Sequence, residues 1–105
     1  MAVVMVTNEN FDEIKNSEKP VLLDFYADWC GPCRMLGPSL EQIETQYNGK
    51  FTLVKVNVDE QAPLAMEYGI SSIPAVKLFV KGKIVGEVVG VNLPDIRVML
   101  SEYAL

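Results

Sequence analysis

Apolar residues along this chain fall into two rhythms: short, nearly unbroken runs, and stretches where they recur at helical spacing. Val3 to Val6 is a short run and predicts a strand. Thr7 or Asn8 then stands where a cap belongs, ahead of a helix reaching about Asn16 with Phe11 and Ile14 inward. Val21 to Ala27 is almost continuously apolar, as expected of a strand buried on both faces. From Pro32 to Asn48, Leu36, Leu40, Ile43 and Tyr47 mark one helical face, and Gly49 supplies a stop. Phe51 to Val58 is a further buried strand, completing a strand–helix–strand crossover that should be right-handed. Pro63 to Tyr68 reads as a short helix closed by Gly69. Ala75 to Val80 and Ile84 to Val89 flank a tight turn at Lys81-Gly82, a hairpin signal. Leu93, Ile96, Leu100 and Tyr103 then line one face of a last helix that Asn92 can cap. No repeat, linker or low-complexity segment interrupts the series. The expected fold is α/β, a mixed sheet with helices on both faces.

Composition narrows the class. The 105 residues suit one domain, 1–105, and 50% apolar content is enough for a real core. Nine basic against 14 acidic residues leave a net charge of −5, which disfavours non-specific nucleic-acid binding. Charges of both signs alternate, with no run to suggest a polybasic anchor. The first residues carry no basic segment, and the apolar run from Met1 ends at Val6. That is too short for a signal-peptide core or a membrane span, so a cytoplasmic location is the expectation.

The chemistry concentrates in Asp28-Trp29-Cys30-Gly31-Pro32-Cys33, which holds both cysteines of the chain. Three readings compete. A structural crosslink over so short a loop contributes only about 2 kcal/mol in the chain-entropy picture, and a domain with this core hardly needs it. A structural zinc site wants four thiolate or imidazole ligands, whereas the chain has two cysteines and no histidine. A redox dithiol suits the spacing best. Cys30 falls at the first turn of the predicted helix, where free N–H groups and the positive end of the helix dipole favour an anion. An ordinary thiol is only about 3% ionised at pH 7, so such help matters to reactivity. Cys33, one turn further in, should be more buried and less acidic. Cys30 is therefore expected to attack a substrate disulfide and Cys33 to resolve the mixed disulfide. Gly31 permits a tight entry, and Pro32 presets φ where no N–H is missed.

Trp29 to Cys33, WCGPC, closely resembles the active-site motif of the thioredoxin family. The resemblance extends over essentially the whole chain, with Asp24 in the preceding strand, Lys55 in the next, Ile73-Pro74 before the hairpin and Gly90 after it. It implies the thioredoxin fold, a central mixed sheet of about five strands flanked by about four helices on both faces. It implies a monomeric protein-disulfide reductase, an electron carrier that holds no cofactor. A separate thioredoxin reductase, NADPH- or ferredoxin-linked, would re-reduce the Cys30–Cys33 disulfide. The implied clients are ribonucleotide reductase, methionine sulfoxide reductase and peroxiredoxins. Neither nucleic acid nor membrane is an expected partner.

Roles for the remaining residues come with the resemblance. Asp24 interrupts an apolar strand and, read alone, could be a paired or edge acid. The resemblance makes it a buried carboxyl near the redox pair, raised in pKa by desolvation, that helps move the proton of Cys33. Lys55 could be a snorkelling strand lysine, or by resemblance a modulator beside Asp24. Pro74 suits either peptide isomer, with trans the commoner; the resemblance implies cis, facing the cysteines, with the Ile73 backbone pairing with an extended client. Trp29, Gly31, Pro32, Ile73, Pro74 and Gly90 would form a flat apolar docking patch, unless Trp29 is simply core. Pro38 should kink its helix. Tyr26, Lys77, Gly37 and the Lys81-Gly82 turn depart from common family residues and bear on stability and partner preference. Other functions on the same frame are a disulfide oxidase or isomerase, disfavoured by Gly31-Pro32 and the lack of histidine, and a redox-independent subunit that docks through the patch.

Overall fold

A computed structural model describes residues 3–7 and 9–103. The elements run β1 Val3–Met5, α1 Phe11–Lys15, β2 Val21–Tyr26, α2 Gly31–Gln46, β3 Thr52–Asn57, α3 Ala62–Glu67, β4 Ala75–Val80, β5 Lys83–Val89 and α4 Leu93–Glu102. The strands form one sheet in the order β1-β3-β2-β4-β5. β1, β3 and β2 run parallel, whereas β4 is antiparallel to β2 and β5 to β4. The mixed sheet and its flanking helices are as the pattern predicts.

Side-chain alternation explains the layers. Leu22 of β2, Val76 and Leu78 of β4 and Leu53 of β3 pack under Leu36, Leu40 and Ile43 of α2 and Ile96 and Leu100 of α4. Their neighbours Val21, Leu23, Phe25, Val54, Val56 and Phe79 point to the opposite face, onto Phe11 of α1 and Leu64 of α3. β2 is thus buried on both sides, which is why its run is unbroken apart from Asp24. By the same alternation Asp24 and Lys55, paired in register across β2 and β3, point to the α2 face.

Several boundaries differ from the pattern for identifiable reasons. α1 starts at Phe11, not after Thr7, because Asn10 Oδ1 accepts the Thr7 N–H at 2.8 Å and closes a turn first. Asn8, the other expected cap, lies outside the described residues. α2 stops at Gln46, short of Asn48, since both Asn48 (φ 54°) and Gly49 (φ 75°) take the left-handed conformation. Lys81 (φ 51°) and Gly82 (φ 84°) give the hairpin two left-handed residues, the requirement that an Asn-Gly pair usually meets. Asn92 caps α4 as expected, its Oδ1 accepting the Asp95 N–H at 3.1 Å. Pro38 lies inside α2, which continues through it.

Candidate active site

Strand direction gathers the chemistry at one edge of the sheet. The carboxyl ends of the parallel β2 and β3 lie together, with Tyr26 in register with Asn57. β4 runs the other way, so its first residue, Ala75, pairs with Phe25 near that edge, and β5 returns to end there at Val89. The loops 27–30, 58–61 and 71–74 and the residues after Val89 therefore meet. Ligands of open α/β sheets bind at such an edge.

Cys30 is the N-cap of α2. Its sulfur accepts the Cys33 backbone N–H at 3.2 Å, so the first turn of the helix donates directly to the expected nucleophile. The approach is fixed locally: Cys30 N–H donates to the Ala27 carbonyl at 3.2 Å, and Arg34 Nη1 to the Asp28 carbonyl at 3.1 Å. Cys30 and Cys33 form a disulfide, with Cα atoms 5.2 Å apart. Both are buried, at 5% and 3% exposure, so in this oxidised form the expected contrast in burial is small. Ala27, Tyr26, Val58 and Ile73 pack around them.

The Ile73–Pro74 peptide is cis, and Cys30 Sγ lies 4.0 Å from the Ile73 carbonyl oxygen. The Gly90 N–H donates to the Pro74 carbonyl at 2.8 Å, tying the turn after β5 to the Pro74 loop. Gly90 adopts φ 90°, a conformation L side chains rarely take. Pro32 is exposed, Gly31, Ile73 and Gly90 are half-buried, and Pro74 is buried beneath them. Trp29 is 68% exposed, which rules out the core reading of that ring. Its Nε1 donates to Asp59 Oδ2 at 2.9 Å, and Asn57 Oδ1 accepts the Asp59 and Glu60 N–H groups, shaping that turn. Asp59 and Asn57 carry no motif of their own. The one available signal is topological: residues following parallel neighbours β2 and β3 must emerge side by side.

Asp24 is fully buried. Lys55 Nζ stands 3.0 Å from Asp24 Oδ2 and is its ion-pair partner across β2 and β3. Burial raises the Asp24 pKa above the usual carboxylate value, and the Lys55 charge offsets that rise only in part. The Lys55 ammonium also lies 4.5 Å from the centroid of the Tyr26 ring, a cation–π contact. A cavity of about 220 Å³ is lined by Lys55, Cys33, Tyr26, Asp28, Gly37 and Glu41 among others, so the second cysteine and the partner of Asp24 share one solvent-connected space. Among the described residues no group of three or more His, Cys, Asp or Glu is placed to hold a metal ion, and no helix is long and apolar enough to cross a membrane.

A vicinal cysteine pair at a helix N-cap, facing a proline loop at the edge of a mixed sheet, defines a dithiol–disulfide oxidoreductase. The family model described as Thioredoxin matches residues 2–101. Thioredoxin of Griffithsia pacifica is 47% identical over 91 residues, covering 86% of this chain and 84% of that protein. Thioredoxin of Chlorobaculum thiosulfatiphilum is 51% identical over 85 residues, with 80% and 79% covered. The solved structure of Malassezia sympodialis thioredoxin superposes with a TM-score of 0.91 at 33% identity, covering 100% of this chain and 96% of that one. That of Plasmodium falciparum thioredoxin gives 0.88 at 31% identity, covering 99% and 100%. The chain belongs to the thioredoxin family. Family membership brings a reductase and disulfide-bearing client proteins as partners, and a reaction that needs no bound cofactor beyond the cysteine pair.

Proposed function

We propose that this protein is a general reductant of protein disulfides, with Cys30 as attacking and Cys33 as resolving sulfur. In the reduced form the Cys30 thiolate attacks one sulfur of a client disulfide. A Cys30–client bond forms and the client's other sulfur leaves as a thiolate. Asp24, as carboxylate, takes the Cys33 proton, and Cys33 then attacks Cys30 Sγ. This closes the intramolecular disulfide and releases the second client thiolate, so two electrons have passed to the client. Lys55 modulates the proton affinity of Asp24 by its charge.

The observation that carries the assignment is the Cys33 N–H donated to Cys30 Sγ at a helix N-cap, a hydrogen bond that favours the anion on that sulfur. The exposed Trp29 and Pro32 beside Ile73 and Gly90 suit docking of an extended client, with the Ile73 backbone offered for pairing. The protein is a monomeric electron carrier of the cytoplasm, a compartment where a reductase keeps such a pair reduced. Its reductase is NADPH- or ferredoxin-linked, and its clients include enzymes that finish each turnover with a disulfide, of the ribonucleotide reductase, methionine sulfoxide reductase and peroxiredoxin types.

Cys30→Ser is expected to abolish reduction of a model disulfide such as insulin, whereas Cys33→Ser should accumulate a mixed disulfide visible by mass spectrometry. Trapping by Cys30→Ser instead would reverse the two roles.

A further inference from the structure

Gly37 lies in the second turn of α2, buried against the sheet. Helices disfavour glycine, and no left-handed φ at this position calls for one. A Cβ placed there would meet Lys55 Nζ at 3.1 Å and, apart from the neighbouring backbone, nothing else within 4 Å. The room a side chain would fill is thus taken by the ammonium group. That group is already in contact with Asp24 Oδ2 at 3.0 Å and with the Tyr26 ring, 4.5 Å from its centroid. A carbon at Gly37 crowds that ammonium, and the cavity of about 220 Å³ lined by both residues is the open space left for it to move into.

We propose that Gly37 is a positioning residue for disulfide exchange: by lacking a side chain it seats the Lys55 ammonium against Asp24 and Tyr26, fixing the charge that governs when Asp24 takes a proton. The inference rests on the role given to Asp24 above. Other ionisable groups around the cavity are Tyr26, Asp28, Cys33, Arg34 and Glu41, while β4 presents apolar Val76 opposite Asp24. None of them contacts a Cβ at Gly37, so the substitution acts on Lys55 first.

The test is a pH titration of the Asp24 carboxyl carbon by NMR in the reduced protein, with turnover against pH on the same samples. The variants are Gly37→Ala, Gly37→Val, Lys55→Met and Gly37→Ala combined with Lys55→Met. Alanine is a better helix former than glycine, so Gly37→Ala should fold, and a thermal melt checks it. A retreat of a few tenths of an ångström from a contact of 3.0 Å weakens the attraction by about a tenth. The Asp24 midpoint should rise by about half a pH unit in Gly37→Ala and by more in the larger Gly37→Val, and the acid limb of turnover should follow. In the Lys55→Met background Gly37→Ala should move neither. An unchanged midpoint in both Gly37 variants, or an equal shift without Lys55, overturns the proposal. A midpoint that moves while the turnover profile does not leaves the seat standing and removes Asp24 from the resolving step.

Discussion

At the scale of single residues, the site combines one group that helix geometry serves well with one that burial serves badly. Cys30 receives an amide hydrogen bond and the positive end of α2. Asp24 sits fully buried, with the Lys55 ammonium 3.0 Å from its Oδ2. Its raised pKa has a definite sign for stability. The folded state holds the proton more tightly than the unfolded chain, so stability falls as pH rises from the ordinary carboxylate value toward the folded one. Asp24→Asn is therefore expected to stabilise the protein by about 1–2 kcal/mol at pH 7, with the gain vanishing below about pH 4. The same variant should slow turnover about 10–100-fold at neutral pH and flatten its acid limb. Urea unfolding and insulin reduction across pH check the two limbs separately, and unchanged pH dependence of turnover would release Asp24 from the mechanism. The cysteine pair and the anomaly of a lone acid in an apolar strand were legible in the sequence, because both stand out against their immediate neighbours. Asp59, which holds the Trp29 ring, was not legible, because nothing near it in the chain marks a partner some thirty residues away.

At the scale of elements, hydrophobic rhythm located every helix and strand, and errors were confined to ends where side chains compete with the backbone. The Asn10 carboxamide takes the Thr7 N–H and delays α1, and Asn48 turns left-handed before Gly49 can act as the stop. Lys77 of β4 shows the same local ambiguity in a strand. It interrupts an apolar run and is buried, with 9% of its side chain exposed, yet it pairs in register with Glu87 of β5, whose side chain is 49% exposed. Glu87→Ala leaves that ammonium unpaired and should cost about 1–2 kcal/mol in urea unfolding, at the low end because water reaches the position of Glu87. Lys77→Met, which removes the charge and keeps the volume, should stay within about 1 kcal/mol of the parent or exceed it. If Glu87→Ala unfolds at the parent's midpoint, Lys77 reaches solvent by itself and the pair does not hold the hairpin.

At the scale of the whole molecule, the active edge follows from strand order and direction. β2 and β3 deliver the cysteine loop and the Asp59 turn together, while antiparallel β4 and β5 bring Pro74 and Gly90 to the same edge. The strand–helix–strand pattern and the hairpin signal made this topology readable, so the convergence of Cys30, Ile73, Pro74 and Gly90 could be expected from family resemblance and sheet rules together. The contact between Gly37 and Lys55 could not, because it depends on how α2 lies across β3, and sequence spacing carries no information on that stacking. Two-electron exchange at the Cys30–Cys33 pair is the central claim, and the lone tryptophan offers a built-in reporter, exposed and adjacent to Cys30. The most direct measurement is a titration of the purified protein against defined thiol–disulfide buffers, followed by Trp29 fluorescence with free-thiol counts alongside. A single two-electron transition with its midpoint well below the glutathione poise is the expected result. A midpoint near or above that poise would contradict a reductase, and thiol counts that show no transition would contradict redox chemistry at this pair.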